Sequence, residues 1–227
     1  MIDRIHVIGS GRVGSAVAAR LSERGLAVHG GRFVENDPQL VLLCVPDTAI
    51  ADVARGLTPG PLVAHVSGAT PLAALDPHVR RFSVHPLQTF TRSRGPEQLD
   101  GAWAAVTAET DETRAAGTWL AETLGLRPFE LADSARTLYH AGAVFVSNYL
   151  VTLHRAASLL FESAGAPPEA LEPLMRRTIE NDFELTGPIA RGDWATVEAH
   201  RKAIRAARPE LEQLYETLAG GTLALAT

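Results

Sequence analysis

Ile5-His6-Val7-Ile8-Gly9-Ser10-Gly11-Arg12-Val13-Gly14-Ser15-Ala16-Val17-Ala18-Ala19-Arg20-Leu21 decides how the rest of the chain is read. A short β-branched run enters a turn of the form GxGxxG, and a helical alanine-rich run leaves it. Each glycine has a separate physical task. Gly9 permits the tight turn, Gly11 lets backbone approach a pyrophosphate, and Gly14 lets the helix pack closely on the strand. The helix start then presents free N–H groups and a positive dipole end to the phosphates, with Ser10, Arg12 and Val13 completing the cradle. The motif by itself is weak, but a strand before it and a helix after it make dinucleotide binding the expected role.

The discriminating position is the end of the second strand, His29-Gly30-Gly31-Arg32-Phe33. A carboxylate there would bind the ribose hydroxyls of NAD, whereas an arginine suits the additional phosphate of NADP. Arg32 therefore favours NADP(H), while nearby Glu35 and Asp37 keep NAD open.

Outward from this turn, strand-like runs alternate with helical ones up to residue 131. The strands are expected at Arg4–Ile8, Ala27–Gly30, Leu40–Val45, Leu62–Val66, Phe82–Val84, Trp103–Thr107 and Pro128–Leu131. This pattern predicts a Rossmann-type α/β fold, doubly wound around a mostly parallel sheet. The stretch between the second strand and Leu40 is shorter than the roughly ten to twelve residues of a helical crossover, so the second helix should be missing or reduced to a turn. From residue 132 to 227 the strand signal stops and an all-α domain is expected, with helices over Ser134–Ala164, Pro168–Leu185, Trp194–Ala207 and Glu210–Leu218. The first of these would be about 45 Å long and apolar on every face in its middle. Such a helix has to be covered, which predicts a homodimer through the C-terminal helices.

Among the 227 residues the hydrophobic fraction is 46%, the charged fraction 21% and the net charge -5. That balance gives no attraction to phosphate polymers or anionic membranes, so neither nucleic acid nor a membrane is an expected partner. The apolar stretch Ala141–Leu153 is too short to cross a bilayer of about 30 Å, and a buried helix is expected there. Cys44, the single cysteine, lies in an apolar run and reads as a buried, inert thiol suited to the cytoplasm. The first residues carry Asp3 and Arg4 and lack the pattern of a signal peptide.

With the glycine turn, five later segments carry a family likeness: Val45-Pro46-Asp47, His65-Val66-Ser67-Gly68-Ala69, Ser83-Val84-His85-Pro86-Leu87, Tyr139-His140-Ala141 through Ser147-Asn148-Tyr149, and Leu185-Thr186-Gly187-Pro188 through Asp193. Over nearly its whole length the sequence resembles a family of bacterial proteins assigned as oxidoreductases, in which a Rossmann-like domain precedes a helical domain of unknown function. That family is similar to the 6-phosphogluconate dehydrogenase-like superfamily, which includes ketopantoate reductase and pyrroline-5-carboxylate reductase. The resemblance implies a nicotinamide-dependent reductase of a small oxo acid or imine, with ketopantoate suggested by analogy alone, and places Val45 and Pro46 at the cofactor. Relatives often use a lysine of the long helix as proton donor. Here Lys202 is the sole lysine and lies elsewhere.

Reduction of a carbonyl needs a proton donor and a polar group to hold the oxygen. His140, the titrating group at the start of the long helix, is the expected donor. Asn148 lies about 80° around a regular helix from it, and Ser147 lies two full turns beyond it. The alternative is that these groups satisfy one another within a helical core. Ser67 and His85 follow strands, where side chains of an open sheet line the ligand crevice, and are catalytic candidates as well. Arg191, between helices, either clamps a substrate carboxylate or pairs with Asp193. No HxxxH, CxxC or HExxH spacing occurs, so no metal site is expected. The competing class is a non-catalytic nucleotide sensor or scaffold, favoured by the absent helix lysine and the short second crossover.

Overall fold

The computed structural model describes residues 2–34 and 37–225. They form two compact units, Met1–Val144 and Phe145–Thr227. The expected boundary fell after residue 131. The turns that follow belong with the sheet because Arg136 is buried among strand residues.

The first unit is a seven-stranded sheet in the order β2-β1-β3-β4-β5-β6-β7, formed by β1 (Arg4–Ile8), β2 (Ala27–Gly30), β3 (Leu40–Leu43), β4 (Leu62–His65), β5 (Arg81–Pro86), β6 (Trp103–Ala108) and β7 (Arg127–Glu130). All neighbours are parallel except β5 and β6. That exception has a local cause. The chain between β5 and β6 contains only a short 3-10 turn, Pro96–Leu99, and without a crossover helix the strand returns antiparallel.

Burial on both faces explains the continuous apolar strands. Leu40 and Leu42 of β3 enter one core with Ile5, Val7, Val17, Leu21, Phe82 and Leu120, while Val41 and Leu43 enter a second core with Ile8, Ile50 and Leu72. Helices α1 (Arg12–Glu23) and α3 (Asp111–Thr123) cover the first core, and α2 (Asp47–Arg55) covers the second. Thr110 and Thr113 form a reciprocal cap at the start of α3. As expected, the β2–β3 connection contains no helix among its described residues. Phe33 stands 79% exposed there, and Glu35 lies outside the described residues.

Helix α4 (Arg136–Val144) closes the first unit. A π turn (Phe145–Tyr149), α5 (Leu150–Ser163), α6 (Leu171–Glu180), α7 (Trp194–Ala207) and α8 (Glu212–Leu225) make up the second. Helix α6 stops short of the expected Leu185 because Asp182 and Phe183 adopt positive φ angles. Within this unit only Leu171, Val197 and Ile204 are buried apolar residues among those described. Arg201 with Glu216 and Arg205 with Glu212 tie α7 to α8.

The expectation of a buried long helix is corrected. Phe145 is 67% exposed and Val146 73%, and Leu150, Val151 and Leu153 are also exposed. The run Asp133–Ser163 is helical throughout, and by length and composition alone it is long and apolar enough to cross a membrane. Its length agrees with the expected Ser134–Ala164; the expectation that it could not cross a bilayer rested on the apolar stretch Ala141–Leu153 alone.

Candidate functional site

At the end of β1, Gly9 takes φ +118, and a Cβ there would stand 2.3 Å from the Cys44 carbonyl oxygen. A Cβ on Gly14 would meet the Gly9 carbonyl oxygen at 2.0 Å. Both glycines are thus required because the end of β3 presses against the turn. Gly11 is different, since nothing lies within 4 Å of its Cβ position. It begins α1 as a cap residue without a side-chain acceptor. This is the arrangement a diphosphate needs: backbone forced close together on the inside and left clear on the outside.

A groove of about 850 Å³ runs beside this turn, with Gly9, Ser10, Gly14, Arg32 and Val45 in its walls. Arg32 therefore stands where the sequence placed it, on the β2 side. Gly11 and Arg12 instead border a smaller hollow of about 250 Å³ with Arg92 and Arg94. Val13 packs against the first core, and Pro46 begins α2. Cys44 is buried, and desolvation pushes its thiol up to about 12, which makes it inert.

The second group of polar residues gathers where β4 and β5 end. Arg136, only 1% exposed, donates from Nη1 to Ser83 Oγ at 2.7 Å and Thr107 Oγ1 at 2.9 Å, and from Nη2 to the Ser67 carbonyl. Its nearest carboxylate, Asp133, is 3.8 Å away, so the cation is held chiefly by neutral oxygens. Burial lowers the pKa of this guanidinium. One turn later on the same face of α4, Tyr139 places its hydroxyl 2.8 Å from His85 Nδ1. His140 lies edge-on to His85, with ring centroids 6.1 Å apart. Both imidazoles crowd Gly68, whose Cβ would stand 2.7 Å from His140 Cδ2 and 2.8 Å from His85 Nε2.

Electrostatics set the protonation of this group. Desolvation, then His140 and Arg136, push His85 down to about 4, with Asp47 opposing. Desolvation, Arg136 and His85 push fully buried His65 down to about 3. Its Nδ1 accepts from the Ser67 N–H at 3.2 Å. Burial raises the Tyr139 phenol to about 12. Near pH 7 the two imidazoles are neutral and the phenol keeps its proton.

The first unit therefore brings together His85 and His140, which the sequence named as separate candidates. It gives Ser67 another task. The Ser67 hydroxyl donates to Thr70 Oγ1 and accepts from Ala69 N and Thr70 N, so the group expected to be catalytic fastens its own loop. Arg136, Tyr139 and Gly68 were missed. An available signal was the placement of Arg136 four residues before His140 and three before Tyr139, within reach of both on one helix.

In the second unit Ser147 Oγ donates to Asn148 Oδ1 at 3.2 Å, within the π turn. A π turn takes an extra residue, so the angular offset expected between His140 and Asn148 does not hold. Arg191 donates to the Thr186 carbonyl at 2.5 Å. Asp193 accepts from Thr196 N and Oγ1 to cap α7, with no ion pair to Arg191 among the described residues. The expected pair with Asp193 thus gives way to a loop bond. Among the described residues no group of three or more His, Cys, Asp or Glu side chains could hold a metal ion.

Solved structures share this architecture. A candidate NADP oxidoreductase of Bacteroides fragilis, BF3122, superposes with a TM-score of 0.82 at 23% identity, covering 98% of each chain. Protein TM1727 of Thermotoga maritima gives 0.77 at 22% identity, over 98% of this chain and 97% of its own. The reductive aminase of Aspergillus terreus, in complex with NADPH and ethyl-5-oxohexanoate, gives 0.70 at 14% identity, over 99% and 94%. No curated protein matches the sequence. The model of one family, the domain of unknown function DUF2520, matches residues 102–222. Spanning more than half of the chain, from β6 through most of α8, that match shows that the protein belongs to the DUF2520 family.

Proposed function

We propose that the protein is an NAD(P)-dependent reductase of a small oxo acid or imine, with NADP(H) preferred. The observation that carries this reading is the open cradle at Gly11, beside a groove whose β2 wall ends in Arg32. His85, near the end of β5 in the same sheet, forms a cluster with Tyr139 and His140 of α4. The likeness to BF3122 and to an aminase bound to NADPH supports it. Gly9, Ser10, Gly11, Arg12, Val13 and Gly14 would hold the diphosphate, Arg32 the additional phosphate, and Val45 and Pro46 the flank of the cofactor. When bound, a reduced nicotinamide supplies hydride. The neutral cluster at the ends of β4 and β5 supplies the proton, and Ser147, Asn148 and Arg191 are proposed as substrate-binding groups of the helical unit. We further propose a cytoplasmic homodimer formed through the C-terminal helices.

The test compares thermal midpoints with NADPH and NADH at equal concentration, followed by consumption of the reduced cofactor over a panel of 2-oxo acids and imines. A ligand that binds only the native state stabilises it by RT ln(1 + [L]/Kd), so a larger rise with NADPH is expected. Equal rises would remove Arg32 from the reading. Binding without turnover of any substrate would favour a nucleotide sensor.

A further inference from the structure

We infer that Tyr139, held by His85, is the group that passes the proton to the substrate, and that His140 is not. The inference rests on the reductase reading above.

Geometry separates the two candidates. The Tyr139 hydroxyl is fixed at 2.8 Å from Nδ1 of a strand residue. Its ring is wedged edge-on between His85 and Phe129, with centroids at 5.6 and 5.9 Å. A proton donor has to be positioned before the reaction, and this one is positioned from both sides. His140 has no hydrogen bond among the described residues, and its ring lies over Gly68 against His85. Its placement suits a wall better than a donor.

The surroundings complete the case. Tyr139 faces His85 from β5, Arg136 from its own helix and uncharged Phe129 from β7, while His140 packs on His85. Asp47, at the start of α2, acts on His85 and Arg136. A phenol raised to about 12 by burial stays protonated through neutral pH, and it is still a stronger acid than the alcohol it would create. His85, lowered to about 4, is neutral and serves the phenol as hydrogen-bond partner without competing as a cationic acid.

The step balances as follows. As the carbonyl carbon takes up hydride, the π pair of the C=O bond moves onto oxygen. The Tyr139 O–H bond breaks and that oxygen takes the proton. The phenolate left behind takes the proton from Nδ1–H of His85 while Nε2 takes one from water, and the hydroxide so formed is neutralised by solvent. His85, now the Nε2–H tautomer, returns to Nδ1–H by proton exchange with solvent, so the net proton comes from solvent. With an imine, nitrogen stands in place of oxygen.

The experiment uses the full chain as wild type, Tyr139→Phe, His85→Gln and His140→Gln. Single-turnover oxidation of NADPH is followed across pH on the panel of 2-oxo acids and imines, and side-chain ¹⁵N spectra of the histidines are recorded without substrate. Tyr139→Phe should lose about a hundredfold or more in hydride transfer, lose the alkaline limb of the rate, and keep its NADPH affinity and thermal midpoint. It should also shift the Nδ1 resonance of His85. His85→Gln, whose amide can still donate to the phenol, should keep part of the rate, and His140→Gln most of it. An active Tyr139→Phe variant, or an unmoved His85 resonance, overturns the assignment while the reductase reading stands. If the wild type binds NADPH but reduces nothing, the reading and the assignment fall together.

Discussion

At the scale of single residues, the two outer glycines of the turn and the middle one are small for opposite reasons, and substitution separates them. A Cβ on Gly9 meets backbone at 2.3 Å in a left-handed conformation, so Gly9→Ala should lower the thermal midpoint before any ligand is considered. At Gly11 the Cβ position is open, so Gly11→Val should leave the midpoint nearly unchanged while abolishing the rise on adding NADPH. A Gly11→Val variant that keeps the full ligand-induced rise would mean that the nucleotide binds elsewhere. These roles were legible in the sequence because GxGxxG states a backbone requirement directly. Arg136 was not legible, since a charged residue near a helix start reads as solvated. Only the meeting of Ser83, Thr107 and the Ser67 carbonyl from three separate segments makes its burial tolerable. Tyr139 was not legible because its partner His85 comes from a strand more than fifty residues earlier, a pairing that helical spacing alone does not reveal.

At the scale of elements, strand positions were readable because buried parallel strands are continuous apolar runs, and each expected run became a strand with ends moved by up to two residues. The antiparallel return of β6 and the π turn were not readable, because each depends on which backbone groups pair and not on side-chain periodicity. The junction of α4 with β4 and β5 makes an acid-sensitive unit. His65 and His85 have folded pKa values of about 3 and about 4, below the ordinary value of 6.5, so the unfolded chain binds more protons than the native one between those limits. Stability is therefore full above about pH 6.5 and declines as the pH falls towards 4, where native His85 begins to take up its proton. The thermal midpoint should fall across that window, and the fall should be shallower in a His65→Gln, His85→Gln double variant. An identical slope in both proteins would show that these histidines are not the acid-sensitive groups.

For the whole molecule, the helical unit poses a stability problem that a single chain leaves unsolved. Only Leu171, Val197 and Ile204 are buried apolar residues among those described in it, while Phe145, Val146, Tyr149, Leu150, Val151 and Leu153 present apolar surface to water. Full burial contributes about 1.5–3 kcal/mol for each large apolar side chain, so three such residues stabilise far less than the ordering of several helices costs. An apolar patch of this kind marks an interface. A second copy of the chain fits it better than lipid does, because His154 and Arg155 interrupt the same helix with groups that are costly to place in lipid. The sequence foretold that the helix needs covering and pointed to a second subunit, but hydropathy does not say which residues of the helix stay uncovered within one chain. Sedimentation velocity at micromolar concentration should therefore show a dimer without detergent. Phe145→Glu, at an exposed position of the π turn, should shift it to monomer and lower the midpoint of the helical unit, while leaving the sheet's NADPH-induced rise in place. A wild-type monomer at that concentration would overturn the dimer, and a chain recovered only with detergent would instead place the helix in a membrane.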